Sequence, residues 1–119
     1  MNHFFEGSVT NNLKGENTSV TVFRKKEDHS ERLLEPFYCN EETKQFPRQE
    51  SWQKSITITV AVNTPIADKK TCNVTKMEGG TYNGPTKIGN FKWEVEMISS
   101  KESYSDPNAS IEIEVSEKE

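Results

Sequence analysis

The residues able to ligate a metal softly or act as nucleophile and base are few: His3, His29, Cys39 and Cys72. No C-x-x-C or H-x-x-x-H spacing brings two of them together, so a zinc site would have to be assembled from distant positions. Asp28, Asp68 and Asp106 are the only aspartates, and none lies in a D-x-D loop of the kind that wraps calcium. Asp106-Pro107-Asn108 reads as a turn. A Cys39 dyad with His29 or His3 would need tertiary approach, and Asp28-His29-Ser30 cannot form a triad from adjacent positions. There is no G-x-S-x-G elbow. Gly79, Gly80 and Gly84 lack the G-K-[ST] ending and following helix of a phosphate loop, and read instead as a hairpin connection. The expectation is no metal, no cofactor and no catalytic residue. An enzyme, a small hydrolase or isomerase with its site built from scattered residues, ranks third among the functional readings.

What remains is recognition chemistry. Tyr82 and Tyr104 lie in polar, turn-rich segments. Tyrosines on loops above a rigid β scaffold give large contact area at low entropic cost. Asn83, Asn90 and Asn108 would add hydrogen bonds. Glu112 and Glu114 give the C-terminal strand an acidic face suited to a basic partner. The leading expectation is therefore a non-enzymatic protein-binding module (an inhibitor, an immunity-type antagonist or an assembly subunit). It would act through loops 78–90 and 99–110 and the acidic C-terminal face. Its binding residues would be Tyr82, Asn83, Tyr104, Glu112 and Glu114, and Ile111–Val115 would be a candidate unpaired edge. The alternative is a lectin-like carbohydrate-binding module using Tyr82, Tyr104 or Trp52. The net charge of −4 comes without any basic stripe, which argues against nucleic acid and anionic lipid as partners. Oligomeric state is not specified by these residues.

The elements that must position such residues are legible from periodicity. Phe91, Trp93, Val95 and Met97 alternate with Lys92, Glu94 and Glu96, and Ile111, Ile113 and Val115 alternate with Glu112 and Glu114. Side chains on a strand point to opposite faces in turn, so each segment has an apolar and a charged face. Ile56, Ile58, Val60 and Val62 form a third such strand, with Thr57, Thr59 and Ala61 on its other face. Strands are also expected at 3–9, 19–25 and 71–77, with a short one at 86–88. Asn83-Gly84 predicts a type I′ hairpin turn. Asp28-His29-Ser30-Glu31 has capping-box spacing and predicts one or two turns of helix ended by Pro36. Residues 39–53 read as loop, anchored in the core by Phe46 and Trp52. With only three Ala and three Leu against 11 Thr and 10 Asn, the composition favours strands and turns over helices. The fold expected over 1–119 is one antiparallel β-sandwich, Greek-key or jelly-roll-like, of six to eight strands with at most one short helix.

Three further expectations follow. Glu94/Glu96 and Glu112/Glu114 would repel as direct cross-strand pairs, so the two rows should not be in register, and one should face Thr57/Thr59 or a basic strand such as Arg24/Lys26. Cys39 and Cys72 would bridge only in an oxidising compartment, and each otherwise suits a small core position. With no apolar run of about 20 residues and no basic, apolar leader, a cytoplasmic site is expected if Met1 is the native start. The triplets at Asn17, Asn73 and Asn108 match a glycosylation acceptor but are discounted in that setting.

Overall fold

The computed structural model describes residues 2–15, 17–38, 42–65, 69–100 and 107–117. These form nine strands and no helix: β1 His3–Asn12, β2 Ser19–Lys25, β3 Ser30–Tyr38, β4 Glu42–Ser51, β5 Ser55–Asn63, β6 Lys70–Glu78, β7 Gly80–Gly89, β8 Lys92–Ser99 and β9 Ala109–Glu117. They build two sheets in the orders β4-β1-β9-β6 and β3-β2-β5-β8-β7. The β-sandwich is the expected one, with more strands than the six to eight anticipated.

Inward-facing residues of the two sheets make one core. Phe5 and Val9 of β1, Phe46 of β4 and Ile111, Ile113 and Val115 of β9 meet Val20, Val22, Ile58, Val60, Trp93, Val95 and Met97. Gly7 is required in this layer. A β-carbon there would lie 2.6 Å from the Phe46 ring and 2.7 Å from Ile111 Cγ2, so the bare backbone makes room for the ring. Asn11 is fully buried yet satisfied: its Nδ2 donates to Phe37 O at 2.9 Å, tying β1 to the opposite sheet, and its Oδ1 accepts from Leu13 N at 3.1 Å.

One ladder departs from the antiparallel expectation. β1 and β9 pair in parallel, from Phe5 opposite Ala109 to Asn12 opposite Ser116. Each connection reverses the chain, so all odd-numbered strands run one way, and two odd strands placed side by side must be parallel. β9 is bonded on both sides, so Ile111–Val115 is an interior strand and not an edge.

The expected helix at 28–36 is instead the start of β3, which pairs with β2. An isolated helical turn fixes several dihedrals for one hydrogen bond, whereas the edge of β2 offers a ready ladder. The expected loop at 39–53 is largely β4. Only Phe46 and Gln49 of that strand are buried, and a register shift opposite Phe5 and Gly7, at Pro47 and Arg48, breaks its alternation. Phe46 is the core anchor expected of it. Trp52 is not, being 75% exposed in the β4–β5 turn.

The expected hairpin turn at Asn83-Gly84 lies inside β7, as a bulge with Gly84 at φ +99°. A type I′ turn there would need the N–H of residue 85 to close it, and Pro85 has none. The chain turns at Asn90-Phe91 instead. Gly79 and Gly80 do not join a hairpin either; they carry the chain from β6 in one sheet to β7 in the other. A β-carbon on Gly79 would lie 2.2 Å from Asn108 O, and one on Gly80 would lie 2.0 Å from Ile98 O. Of the four edge strands, β3, β4 and β7 carry Pro36, Pro47 and Pro85, and β6 carries a register shift between Val74 and Lys76. Such interruptions discourage edge-to-edge pairing.

Candidate functional site

The alternation of β9 sends Ile111, Ile113 and Val115 inward and Ser110, Glu112 and Glu114 outward. Register then decides what stands beside them. Glu112 is flanked by Ser8 of β1 and Lys76 of β6, and Ser110 by Glu6 and Glu78. Gln45 and Arg48 of β4 complete the far wall. The result is an open trough of about 500 Å³ on the outer face of the β4-β1-β9-β6 sheet. Its floor is Ser8 and Ser110 with the backbone of Gly7 between.

The trough is charged but unevenly paired. Lys76 Nζ lies 3.1 Å from Glu78 Oε1. The hydrogen bond to Glu78, then the charges of Glu78 and Glu112, hold the Lys76 ammonium above its ordinary pKa. The Arg48 guanidinium sits 4.8 Å from the Phe4 ring centroid. Among the described residues, neither Glu6 nor Glu112 has a cation within ion-pair distance. Glu114, between Thr10 and Asn73, has none either. Small hydroxyl groups below and bare carboxylates above suit hydrogen bonding to a cationic group arriving from solvent.

The five residues proposed from sequence do not come together. Glu112 and Glu114 share the outer face just described. Tyr82 and Asn83 belong to β7, the edge of the other sheet, and segment 78–90 is strand for most of its length. Asn83 faces outward, its Nδ2 donating to Glu96 Oε1 at 2.9 Å. Tyr82, opposite Met97, faces the core side at the rim and is 40% exposed. Tyr104 lies outside the described residues, as do all of residues 101–106 in the 99–110 loop. Asn108 is not a surface donor: it is fully buried, and its Oδ1 accepts from Phe4 N at 2.8 Å while its own N–H donates to Phe4 O at 2.8 Å. That staple also removes it as a glycan acceptor in the folded chain.

The glutamate rows behave as expected. Glu94 and Glu96 face Thr59 and Thr57, and Glu112 and Glu114 lie on the other sheet. Sequence reasoning missed Glu6, Lys76 and Arg48 as partners of Glu112. Parity along the first strand was the available signal, since Glu6 and Ser8 alternate with Phe5, Gly7 and Val9. Trp52 was named as an anchor; its neighbours Ser51, Gln53 and Lys54, none of them apolar, were the sign of a solvated turn.

Cys72 is a free, buried thiol, so the bridge weighed from sequence is not formed; Cys39 lies outside the described residues. Burial pushes the Cys72 thiol up to about 12. Among the described residues no group of three His, Cys, Asp or Glu is placed to hold a metal ion. Among the described residues there is no helix long and apolar enough to cross a membrane.

No family model and no curated protein matches the chain. A bacterial adhesin from Mobiluncus mulieris, containing intramolecular disulfide, isopeptide and ester bond cross-links, is similar in structure at 12% identity with a TM-score of 0.40. The similarity covers 96% of this chain and 41% of the adhesin chain, so this chain spans less than half of that protein's length. A likeness of this degree carries no argument about ligand or activity.

Proposed function

We propose that this chain is a non-enzymatic binding module that holds a partner protein, and that the trough over β1, β9 and β6 receives a basic segment of that partner. The observation that carries this reading is the pair of carboxylates, Glu6 and Glu112, without an ion-pair contact among the described residues, on an outer face whose floor offers hydroxyls. A net excess of carboxylates at a concave surface favours encounter with the opposite sign and fixes register on contact. The one described cysteine, Cys72, is not a candidate nucleophile, because burial pushes its thiol up to about 12. A cytoplasmic site is part of the same proposal.

The experiment is capture from lysate of the source organism on tagged protein, with elution first by salt and then by mixed sugars. A stoichiometric band released by salt, retained by Tyr82→Ala and lost from a Glu6→Lys/Glu112→Lys double variant, is the expected result. Capture unaffected by the charge reversal would sink the trough as the contact.

Carbohydrate binding is the second reading, favoured by Trp52. A tryptophan 75% exposed on a β4–β5 turn is an unusual use of a large apolar ring, and a flat indole in water suits stacking on a sugar. Release by sugar rather than salt, abolished by Trp52→Ala, would select it.

A further inference from the structure

A second concavity lies away from the trough, where the rims of the two sheets meet along β6 and β7. It has a volume of about 400 Å³ and is bordered by Lys69, Lys70 and Thr71 on one side and Pro85 and Lys87 on the other. Trp93 lies at its floor beside Cys72. Lys87 and Trp93 are direct cross-strand partners, so their side chains project from the same face of the sheet as neighbours.

Two observations give this cleft a chemical sign. The first is its charge. Lys70, with a side chain only 2% exposed, is neutralised by Glu117, whose Oε2 lies 2.9 Å from Nζ. Lys69 and Lys87, both at the border of the cleft, are exposed and have no ion-pair partner among the described residues. The second is Trp93 itself. It is 95% buried by its 5% exposure, yet its indole N–H has no hydrogen-bond partner among the described residues. Among the described residues the buried side-chain atoms sealed without a partner are Asn2 Oδ1 and His3 Nδ1. The indole N–H is not sealed, and Trp93 borders the cleft, so a ligand oxygen there can take that donor from water.

We infer that this cleft is an oxyanion site that takes a phosphate monoester. The dianion matches the two free lysine charges, the Trp93 N–H donates to one oxygen, and Lys69 and Lys87 close on the others as point charges. Lys70 has a positioning role, held in place by Glu117. The site is independent of the trough, and its occupancy does not rest on the protein-binding reading.

The test uses the full chain labelled with 15N. Its two tryptophans give two indole signals, and Trp52→Phe assigns that of Trp93. Titration with O-phosphoserine at constant ionic strength should move the Trp93 signal saturably and leave that of Trp52 in place. Lys69→Gln and Lys87→Gln should each weaken the affinity by about fivefold, as expected for loss of one exposed charge contact. Both positions are on the surface, so the variants fold, and the unperturbed remainder of the spectrum verifies it. A Trp93 signal that does not move, or that moves equally in a Lys69→Gln/Lys87→Gln double variant, overturns the site. An equal response to acetate at the same concentration overturns the assignment to a dianion.

Discussion

β8 and β9 carry the same sequence pattern, apolar residues alternating with glutamates, and the structure treats their charged faces differently. On β8, Glu94 lies 3.2 Å from Lys25 Nζ, and Glu96 accepts from Asn83 at 2.9 Å. On β9, Glu112 and Glu114 face Ser8, Thr10, Asn73 and Lys76, and that lysine is already held by Glu78. One row is internally satisfied and the other is open. The motif is identical in kind, so the difference comes from the neighbouring strands. A surface charge acquires meaning from what the sheet order places beside it.

The inner faces of the two rows should be equivalent, and breaking them gives the largest effects. Ile113→Ala on β9 removes a side chain 1% exposed and is expected to cost about 2–5 kcal/mol in a denaturant melt. Val95→Ala on β8 should be of the same kind and somewhat smaller. Loss on one strand only would mean that the two sheets do not share one core.

The outer faces should separate. Glu112→Lys is expected to abolish salt-sensitive partner capture while changing stability by no more than about 0.5 kcal/mol. Glu96→Gln should leave capture intact. If both variants lose the partner, the contrast between the rows is wrong.

pH sharpens the same contrast at the end of β9. Burial raises the Glu117 carboxyl, but its hydrogen bonds from Lys70 and from the Lys14 N–H and the charges of both lysines outweigh it, and the net shift is downward. A carboxylate whose folded pKa is depressed contributes stability above its unfolded pKa, about 4.3, and loses it as pH falls through the folded value. The melting temperature should therefore drop as pH is lowered from 5 into the acid range, and Glu117→Gln should flatten that slope. An unchanged slope would show the pair to be inert.

The smallest effect is expected at His3. Its Nδ1 is buried without a partner, so His3→Phe should leave the melting temperature unchanged or raise it slightly.

Of the five strands with a partner on both sides, β5, β8 and β9 are legible by a clean period of two, and β1 and β2 lie where the sequence predicts strands, as does the edge strand β6. The other edge strands are not legible in this way. β4 buries only Phe46 and Gln49, and β7 is interrupted at Gly84-Pro85, so neither presents the alternation that marks a half-buried strand. The start of β3 carries a helix signal because capping-box spacing is local, and the bare edge of β2 that overrides it is not local. The parity of Glu112 and Glu114 could be read directly. Their company with Glu6 and Lys76 could not, because it depends on β9 lying between β1 and β6, which no short-range pattern encodes. Tyr82 and Asn83 read as parts of one turn-rich loop, but the segment is strand β7, in which adjacent residues point to opposite faces.

The parallel pairing of β1 and β9 has a mechanical consequence. The strand nearest the start of the chain enters at one end of the sandwich, and the strand nearest its finish leaves at the other. Tension applied to the two termini would drag these neighbours past each other along their length. The bonds from Phe5–Ala109 to Asn12–Ser116 would then carry the load together, in shear, instead of opening one after another like a zip. Pulled from Gly89 and the C-terminus instead, the chain would yield at lower force in a single-molecule trace. The domain is strongest along the axis on which its own polypeptide would be stretched.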